Sequence, residues 1–274
     1  MVKDLLGNRM KCYENISRTY LTRRCPVIIR IDGKAFHSFT RGFKRPFDDI
    51  LIKSMQATAK YLCENIQGCK LAYTQSDEIS LLLVDYEKIE SQAWFDNNLQ
   101  KIVSIAASMA TMAFNKVFSK QVEEYIEAVF ALQDLDIESD YLKSLTKAVD
   151  KGALFDARAF ILPKEEVCNY FIWRQQDATR NSIQMVAQSQ FSHKELQNKN
   201  CNQLQDMLFE QKGINWNDYP IVQKRGSTIV KKSFSIVDLS DYSGSVTDVT
   251  RTRWVVDEEI PIFTQERHYI EQYV

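Results

Sequence analysis

Apolar positions along the chain fall into two periods. The run Val27-Ile28-Ile29-Arg30-Ile31 is rich in β-branched residues and stops abruptly at Asp32-Gly33. It predicts a buried strand over 27–31 that delivers a carboxylate to the rim of a sheet, followed by a glycine whose backbone admits close approach. Residues 70–74 and 79–84 predict two further strands joined by the polar turn Gln75-Ser76-Asp77-Glu78, and the second is apolar enough to be central. A fourth strand, 155–162, is closed by Pro163. Helical spacing fills the gaps. Leu51, Met55, Ala59, Leu62 and Ile66 follow the candidate N-cap Asp48, and Gly68 stops that helix. A long helix over 92–118 turns Trp94, Leu99, Ile102, Ile105, Ala106, Met109, Ala113 and Val117 inward. Residues 2–24 predict a polar helix with a sparse apolar face of Leu5, Leu6, Met10, Tyr13 and Ile16, and 121–150 read as helical or irregular.

The resulting order, β-α-β-β-α-β, is the ferredoxin-like or polymerase-palm arrangement, an α+β fold with an antiparallel sheet and helices on one face. Right-handed crossovers set the first and third strands side by side and antiparallel. Asp32 then lies at the same sheet edge as Asp77 and Glu78. We expect a palm-like catalytic domain over 1–163 and a mostly helical lobe with a few strands over 164–274, packed on the palm. In that lobe a helical pattern covers 165–189, Ser192 and Glu195 form a capping box, and a helix at 201–212 ends at Gly213. Strands are expected over 226–237 and 249–256.

Composition narrows the class. The 274 residues are 45% hydrophobic and 26% charged, which is ordinary for a soluble globular protein. A net charge of −1 leaves any nucleic-acid contact to local basic patches such as Lys224, Arg225, Lys231, Lys232, Arg251 and Arg253, which are equally well read as solvated strand faces. Six cysteines without a CxxC pair and three histidines argue against a structural zinc site. The N-terminus lacks a secretory signal, and the apolar stretch near 102–118 is interrupted by Ser104, Ser108, Thr111 and Asn115, so a buried helix is expected there and no membrane partner. A cytoplasmic enzyme with reduced thiols is the simplest expectation.

Carboxylates converging on one sheet edge beside a backbone carbonyl make a hard-oxygen site suited to Mg2+. Two such ions can activate an attacking oxygen and stabilise a leaving pyrophosphate. The backbone N–H groups of Gly33 to His37 would face a triphosphate, with Lys34, Lys44 and Arg45 offsetting its charge. Taken singly, each acidic motif is an ordinary turn; it is their convergence that points to palm chemistry, shared by template-directed polymerases and nucleotidyl cyclases. His37 is read either as a phosphate or base contact or as a satisfied imidazole. Phe36, Phe39, Phe43 and Phe47 are expected to form the private core of their loop, with at most one stacking on a base.

Several segments go further. Arg30-Ile31-Asp32-Gly33-Lys34-Ala35-Phe36-His37-Ser38-Phe39, Arg45-Pro46-Phe47-Asp48 and Tyr73-Thr74-Gln75-Ser76-Asp77-Glu78-Ile79-Ser80 resemble the tRNA-His guanylyltransferase family. So do Phe155-Asp156-Ala157-Arg158, Trp173-Arg174-Gln175-Gln176-Asp177 and Arg225-Gly226-Ser227-Thr228, in the same order. The resemblance implies a metal-dependent nucleotidyltransferase that adds nucleotides in the 3′-to-5′ direction to the 5′ end of tRNA. The 5′-phosphate is first activated by ATP or GTP, and the 3′-hydroxyl of an incoming nucleotide then attacks. It also implies that Asp32, the Gly33 carbonyl and Asp77 hold two Mg2+ ions, with Glu78 as a supporting acid. Gly33, Lys34, Ala35, Phe36, His37, Arg45, Asp48 and Ser76 look like nucleotide contacts. Arg174, Asp177, Arg180, Asn181, Lys224 and Arg225 look like tRNA contacts, with an intrachain salt-bridge cluster as the alternative for the first four. Where the eukaryotic enzymes carry His-Ile-Asn-Asn-Leu-Tyr-Asn, this chain has Thr179-Arg180-Asn181-Ser182-Ile183-Gln184-Met185. That is similar to the bacterial and archaeal like-proteins, so template-dependent repair of 5′-truncated tRNA by a homotetramer is the expectation. The alternatives are guanosine addition to tRNA-His, a cyclase or cyclic-dinucleotide synthase acting without RNA, and a non-catalytic tRNA-binding protein.

Overall fold

The computed structural model describes residues 4–131, 139–238 and 247–274. Among the described residues, the strands are β1 Val27–Gly33, β2 Cys69–Gln75, β3 Glu78–Leu83, β4 Phe155–Ile161, β5 Ser227–Asp238 and β6 Thr247–Asp257. They form one sheet in the order β4-β1-β3-β2-β5-β6, antiparallel throughout. The helices are α1 Leu5–Ile16, α2 Phe36–Phe39, α3 Asp49–Asn65, α4 Leu99–Ala131, α5 Ser139–Lys151, α6 Lys164–Gln190, α7 His193–Leu196, α8 Cys201–Lys212, α9 Ile221–Arg225 and α10 His268–Glu271. The expected β-α-β-β-α-β order is present as β1, α3, β2, β3, α4, β4, with α2 and α5 added within its connections.

Alternation along β1 serves two cores. Ile29 and Ile31 pack with Met55, Ala59 and Leu62 of α3 and with Ile102, Ala106 and Phe114 of α4. Ile28 points the other way, with Tyr73 and Leu82, onto Val167 and Phe171 of α6. The palm helices therefore share one face, and the C-terminal half covers the other. Burying one such side chain fully contributes about 2 kcal/mol. The sheet also continues past residue 163, because β5 pairs with β2 from Leu71↔Val230 to Thr74↔Ser227.

Three expectations change in detail. The N-terminal helix is confined to Leu5–Ile16, and its apolar face, Leu5, Leu6, Met10, Tyr13 and Ile16, is exposed. The long helix begins later and runs further, to Ala131, after a 3-10 turn at Trp94–Asn97 whose Phe95, Asp96 and Asn97 have left-handed φ. Its buried stripe is Ile102, Ala106, Ala110, Ala113, Phe114, Phe118 and Val122, which leaves Ile105 exposed. By length and composition α4 could cross a membrane, yet that stripe is committed to the core.

Candidate active site

The acids meet because of register. Asp32 stands opposite Glu78 in the β1–β3 ladder and opposite Asp156 in the β1–β4 ladder. Directly opposed residues share a face, so these three carboxylates form a row across the sheet on the α6 side. Beyond the row, the Gly33 N–H donates to the Asp77 carbonyl at 3.1 Å and the Lys34 N–H to the Leu154 carbonyl at 2.8 Å. Both neighbouring strands thus pin the start of the 33–37 loop. Ala35, at φ +54°, then turns the backbone into α2. A Cβ on Gly33 would come within 2.2 Å of the Phe36 ring, so the glycine makes room for that ring. Phe36 packs on Phe39, Phe114 and Phe155, and Phe43 stacks on Phe118. Phe36, Phe39 and Phe43 are the loop's own core, Phe47 packs instead against Tyr219, and Phe36 offers a ligand only its main chain. Lys34, His37 and Arg45 are exposed.

Electrostatics single out the β2–β3 turn. Burial pushes the Asp77 carboxyl above its usual range; the Ser76 hydroxyl, which donates to it at 2.9 Å, opposes the shift, and the charge of Asp32 adds to it. Burial likewise raises Glu78, and Arg174 resists. Arg174 donates to the two Glu78 oxygens at 2.7 and 2.8 Å and to Asp177 at 2.9 Å. It is only 5% exposed. This is the intrachain salt-bridge alternative: its Nε and Nη2 donors are engaged within the chain, because α6 lies directly over the sheet edge. Asp177 also accepts from Arg180 and, at 3.5 Å, from Asn181, leaving the Arg180 side chain exposed. Below Glu78, Ser80 and Tyr170 share a hydrogen bond of 2.8 Å, and burial pushes the Tyr170 phenol up to about 12.

Asp48 has a structural part besides its place in the wall of a cleft between α3, α6 and α9. Its carboxylate accepts from the Leu51 N–H at 3.0 Å, the Lys44 N–H at 3.1 Å and the Tyr141 hydroxyl at 2.7 Å. It caps α3 and anchors the loop, as the N-cap reading anticipated.

Beside the turn lies a small cleft of about 80 Å3 between α3, α6 and α9, lined by Phe47, Leu51, Ser76, Asn181, Met185 and Val222 among others. Gly226 closes it at φ +79°, where a Cβ would meet the Thr74 carbonyl oxygen at 2.4 Å. The Tyr73 hydroxyl fixes the adjacent Arg225 carbonyl at 2.7 Å. Lys224 turns back over the Trp216 ring at 5.7 Å, so both predicted basic residues stand on the rim of this cleft.

Sequence reasoning passed over Arg30 as a site residue. It precedes Asp32 by two positions on the same strand, faces the same side, and pairs with Arg158 across β4. Its Nε is buried without a hydrogen-bond partner among the described residues. The signal was parity: a charge inside an apolar strand, in step with the acid.

Among the described residues no three His, Cys, Asp or Glu side chains form a metal-holding group. Mg2+ asks less of a protein, since it keeps several waters and takes one or two carboxylates together with substrate phosphates. Asp32 and Asp77, whose charges disfavour each other, with the Gly33 carbonyl nearby, fit such an ion.

The family model described as tRNAHis guanylyltransferase matches residues 7–163. A bacterial tRNA(His) guanylyltransferase-like protein solved in complex with ATP is 46% identical, with a TM-score of 0.78 and 98% of each chain covered. A structure of such a bacterial like-protein in complex with GTP is 44% identical, with a TM-score of 0.75, covering 98% of this chain and 99% of that one. The tRNA(His) guanylyltransferase of Saccharomyces cerevisiae is 28% identical over 223 residues, 76% of this chain and 84% of its own.

Proposed function

The chain belongs to the tRNAHis guanylyltransferase family, and from that premise we propose that it extends the 5′ end of truncated tRNA in the 3′-to-5′ direction, one templated nucleotide at a time. The observation that carries this reading is the β1–β3 register, which sets Asp32 and Asp77 at one sheet edge beside the Gly33–His37 loop. The family is one of nucleotidyltransferases, and the ATP and GTP complexes of the bacterial like-proteins support nucleoside triphosphates as substrates.

In this reading Asp32, Asp77 and the Gly33 carbonyl hold Mg2+. When bound, the ions supply charge neutralisation for the triphosphate and acidify the attacking hydroxyl. The Gly33 and Lys34 N–H groups are taken by the Asp77 and Leu154 carbonyls, so the N–H groups of Ala35, Phe36 and His37 are left to face the phosphates, with the Lys34 side chain, Arg45 and Ser76 around them. Arg30 and Arg158 carry positive charge to the α6 side of the acids, suited to the 5′-phosphate of the RNA. The cleft lined by Phe47, Leu51 and Met185 takes a nucleobase, whose apolar faces match its walls. Asn181, Arg180 and Arg225 stand nearest the acceptor end. The exposed apolar face of α1 supports association of subunits, for which a homotetramer is our reading.

The test is an assay with labelled GTP and ATP, Mg2+ and a 5′-monophosphorylated tRNA lacking its first nucleotide. A product longer by one templated residue is expected. Nucleotide turnover that is indifferent to RNA would replace the reading with a cyclase. Sedimentation of the purified protein checks the tetramer.

A further inference from the structure

A second cavity, of about 560 Å3, lies further along α6. Gln184, Gln188, His193, Asn198, Lys199 and Arg45 contribute to its wall, and none of the described residues lining it is an acid. The nearby Glu195 carboxylate is engaged elsewhere, accepting from the Ser192 N–H at 2.8 Å and its hydroxyl at 2.6 Å. The cavity therefore combines cations with amides that both donate and accept. Its place matters as much as its chemistry. Helix rise puts Gln184 roughly 15 Å and Gln188 roughly 21 Å along α6 from Arg174, the residue that holds Glu78. Arg45 belongs to this cavity and Phe47, two residues on, to the cleft beside Ser76. The groove starts at the nucleotide loop and leads away from the acids.

We propose that this groove holds the unpaired 3′ strand of the tRNA acceptor. The proposal rests on the reading that the truncated 5′ end is extended at Asp32 and Asp77. In that geometry the opposite strand runs on past the templating base as a single-stranded tail. Single strands are held by cationic grooves that track the backbone, and unpaired bases offer free edges to amide side chains. Gln184, Gln188 and Asn198 satisfy any base edge, which suits a tail common to many tRNAs. A stacked strand advances ~3.4 Å per nucleotide, so the 15–21 Å span corresponds to about five nucleotides.

The test compares two acceptor-stem minihelices with the same 5′-truncated duplex, one with and one without its unpaired 3′ nucleotides. Binding is measured by fluorescence anisotropy for the wild-type protein and for Gln188→Glu/Lys199→Glu, both exposed positions whose change leaves the core intact. Wild type should hold the tailed RNA about tenfold more tightly, and the variant should bind both RNAs alike, with the salt slope of the tailed complex reduced by about 1. Equal binding of the two RNAs by wild type overturns the proposal, as does a tail preference that survives in the variant. Adding GTP, ATP and Mg2+ to the same samples separates the two readings: a wild-type protein that prefers the tailed RNA but extends neither would refute 5′-end addition and keep the groove.

Discussion

Arg174 on α6 grips both carboxylate oxygens of Glu78 on β3, at 2.7 and 2.8 Å, with both side chains buried. The fork ties the C-terminal half to the β2–β3 turn that carries Asp77. A buried charge with a matched partner is tolerated; one left alone is costly.

Arg174→Ala should therefore destabilise the fold by about 3 kcal/mol. Arg174→Lys should recover little, because an ammonium cannot make the two parallel bonds of a guanidinium. Urea unfolding measures both. A loss below about 1 kcal/mol for Arg174→Ala, the range of exposed pairs, would mean that the fork contributes no more than a surface contact.

Asp32→Ala and Asp77→Ala should each lower nucleotide transfer by roughly 10²–10³ or more, the scale for removing a group aimed at developing charge. Removing Mg2+ with a chelator should have the same effect on the wild type. tRNA affinity should change little, since neither acid is among the proposed RNA contacts. Single-turnover transfer, with filter binding alongside, checks the pair, and a variant that retains transfer would dismiss these acids as metal ligands.

Tyr170 predicts an alkaline weakness. Its phenol is raised from 10.0 to about 12, chiefly by burial. The folded state thus keeps this proton longer than the unfolded chain, and stability present below pH 10 is lost as pH rises toward 12. Tyr170→Phe should flatten that decline while costing about 1 kcal/mol at neutral pH for the lost bond to Ser80. Thermal melts across pH 8–12 would show the two curves converging; parallel curves would exclude the phenol as their cause.

Gly226→Ala should cost about 1–3 kcal/mol, because it combines a positive φ with a Cβ placed 2.4 Å from the Thr74 carbonyl oxygen. The relief available is a shift of α9, which walls the cleft proposed for the nucleobase. KM for the nucleotide should rise more than kcat falls, as steady-state kinetics would report.

Much of this was legible in the chain. β1 announces itself through β-branched residues that stop at Asp32-Gly33, and the turn at 75–78 through polarity between two apolar runs. Topology then does what spacing cannot, bringing Asp32 to Glu78. The inward stripe of α4 is harder to read, because Ile105 and Met112 make the helix apolar on a second side and blur its phase; both are exposed, while Met109 packs against the core as its spacing predicts. The end of that helix was missed for a related reason. Val122 continues the stripe while Lys120, Glu123 and Glu124 dilute the pattern around it. Arg174 was unreadable as a partner of Glu78, since nothing in a helix's own sequence tells what lies across from it. The capping box at Ser192 forms as the pattern anticipates, and a second, Asn200 with Gln203, has the same spacing.

The strand order has a consequence for biosynthesis. Leu71, already paired with Leu82 on one side, finds its partner on the other side only when Val230 exists, and Ile28 and Tyr73 are covered only when α6 exists. A ribosome releasing the first 163 residues therefore presents β2 as an open edge and one apolar sheet face bare, the features that invite aggregation during synthesis. A chain truncated there would keep Asp32, Asp77 and Glu78 in sequence yet be expected to precipitate, so the catalytic half and its cover must be made, and inherited, as one piece.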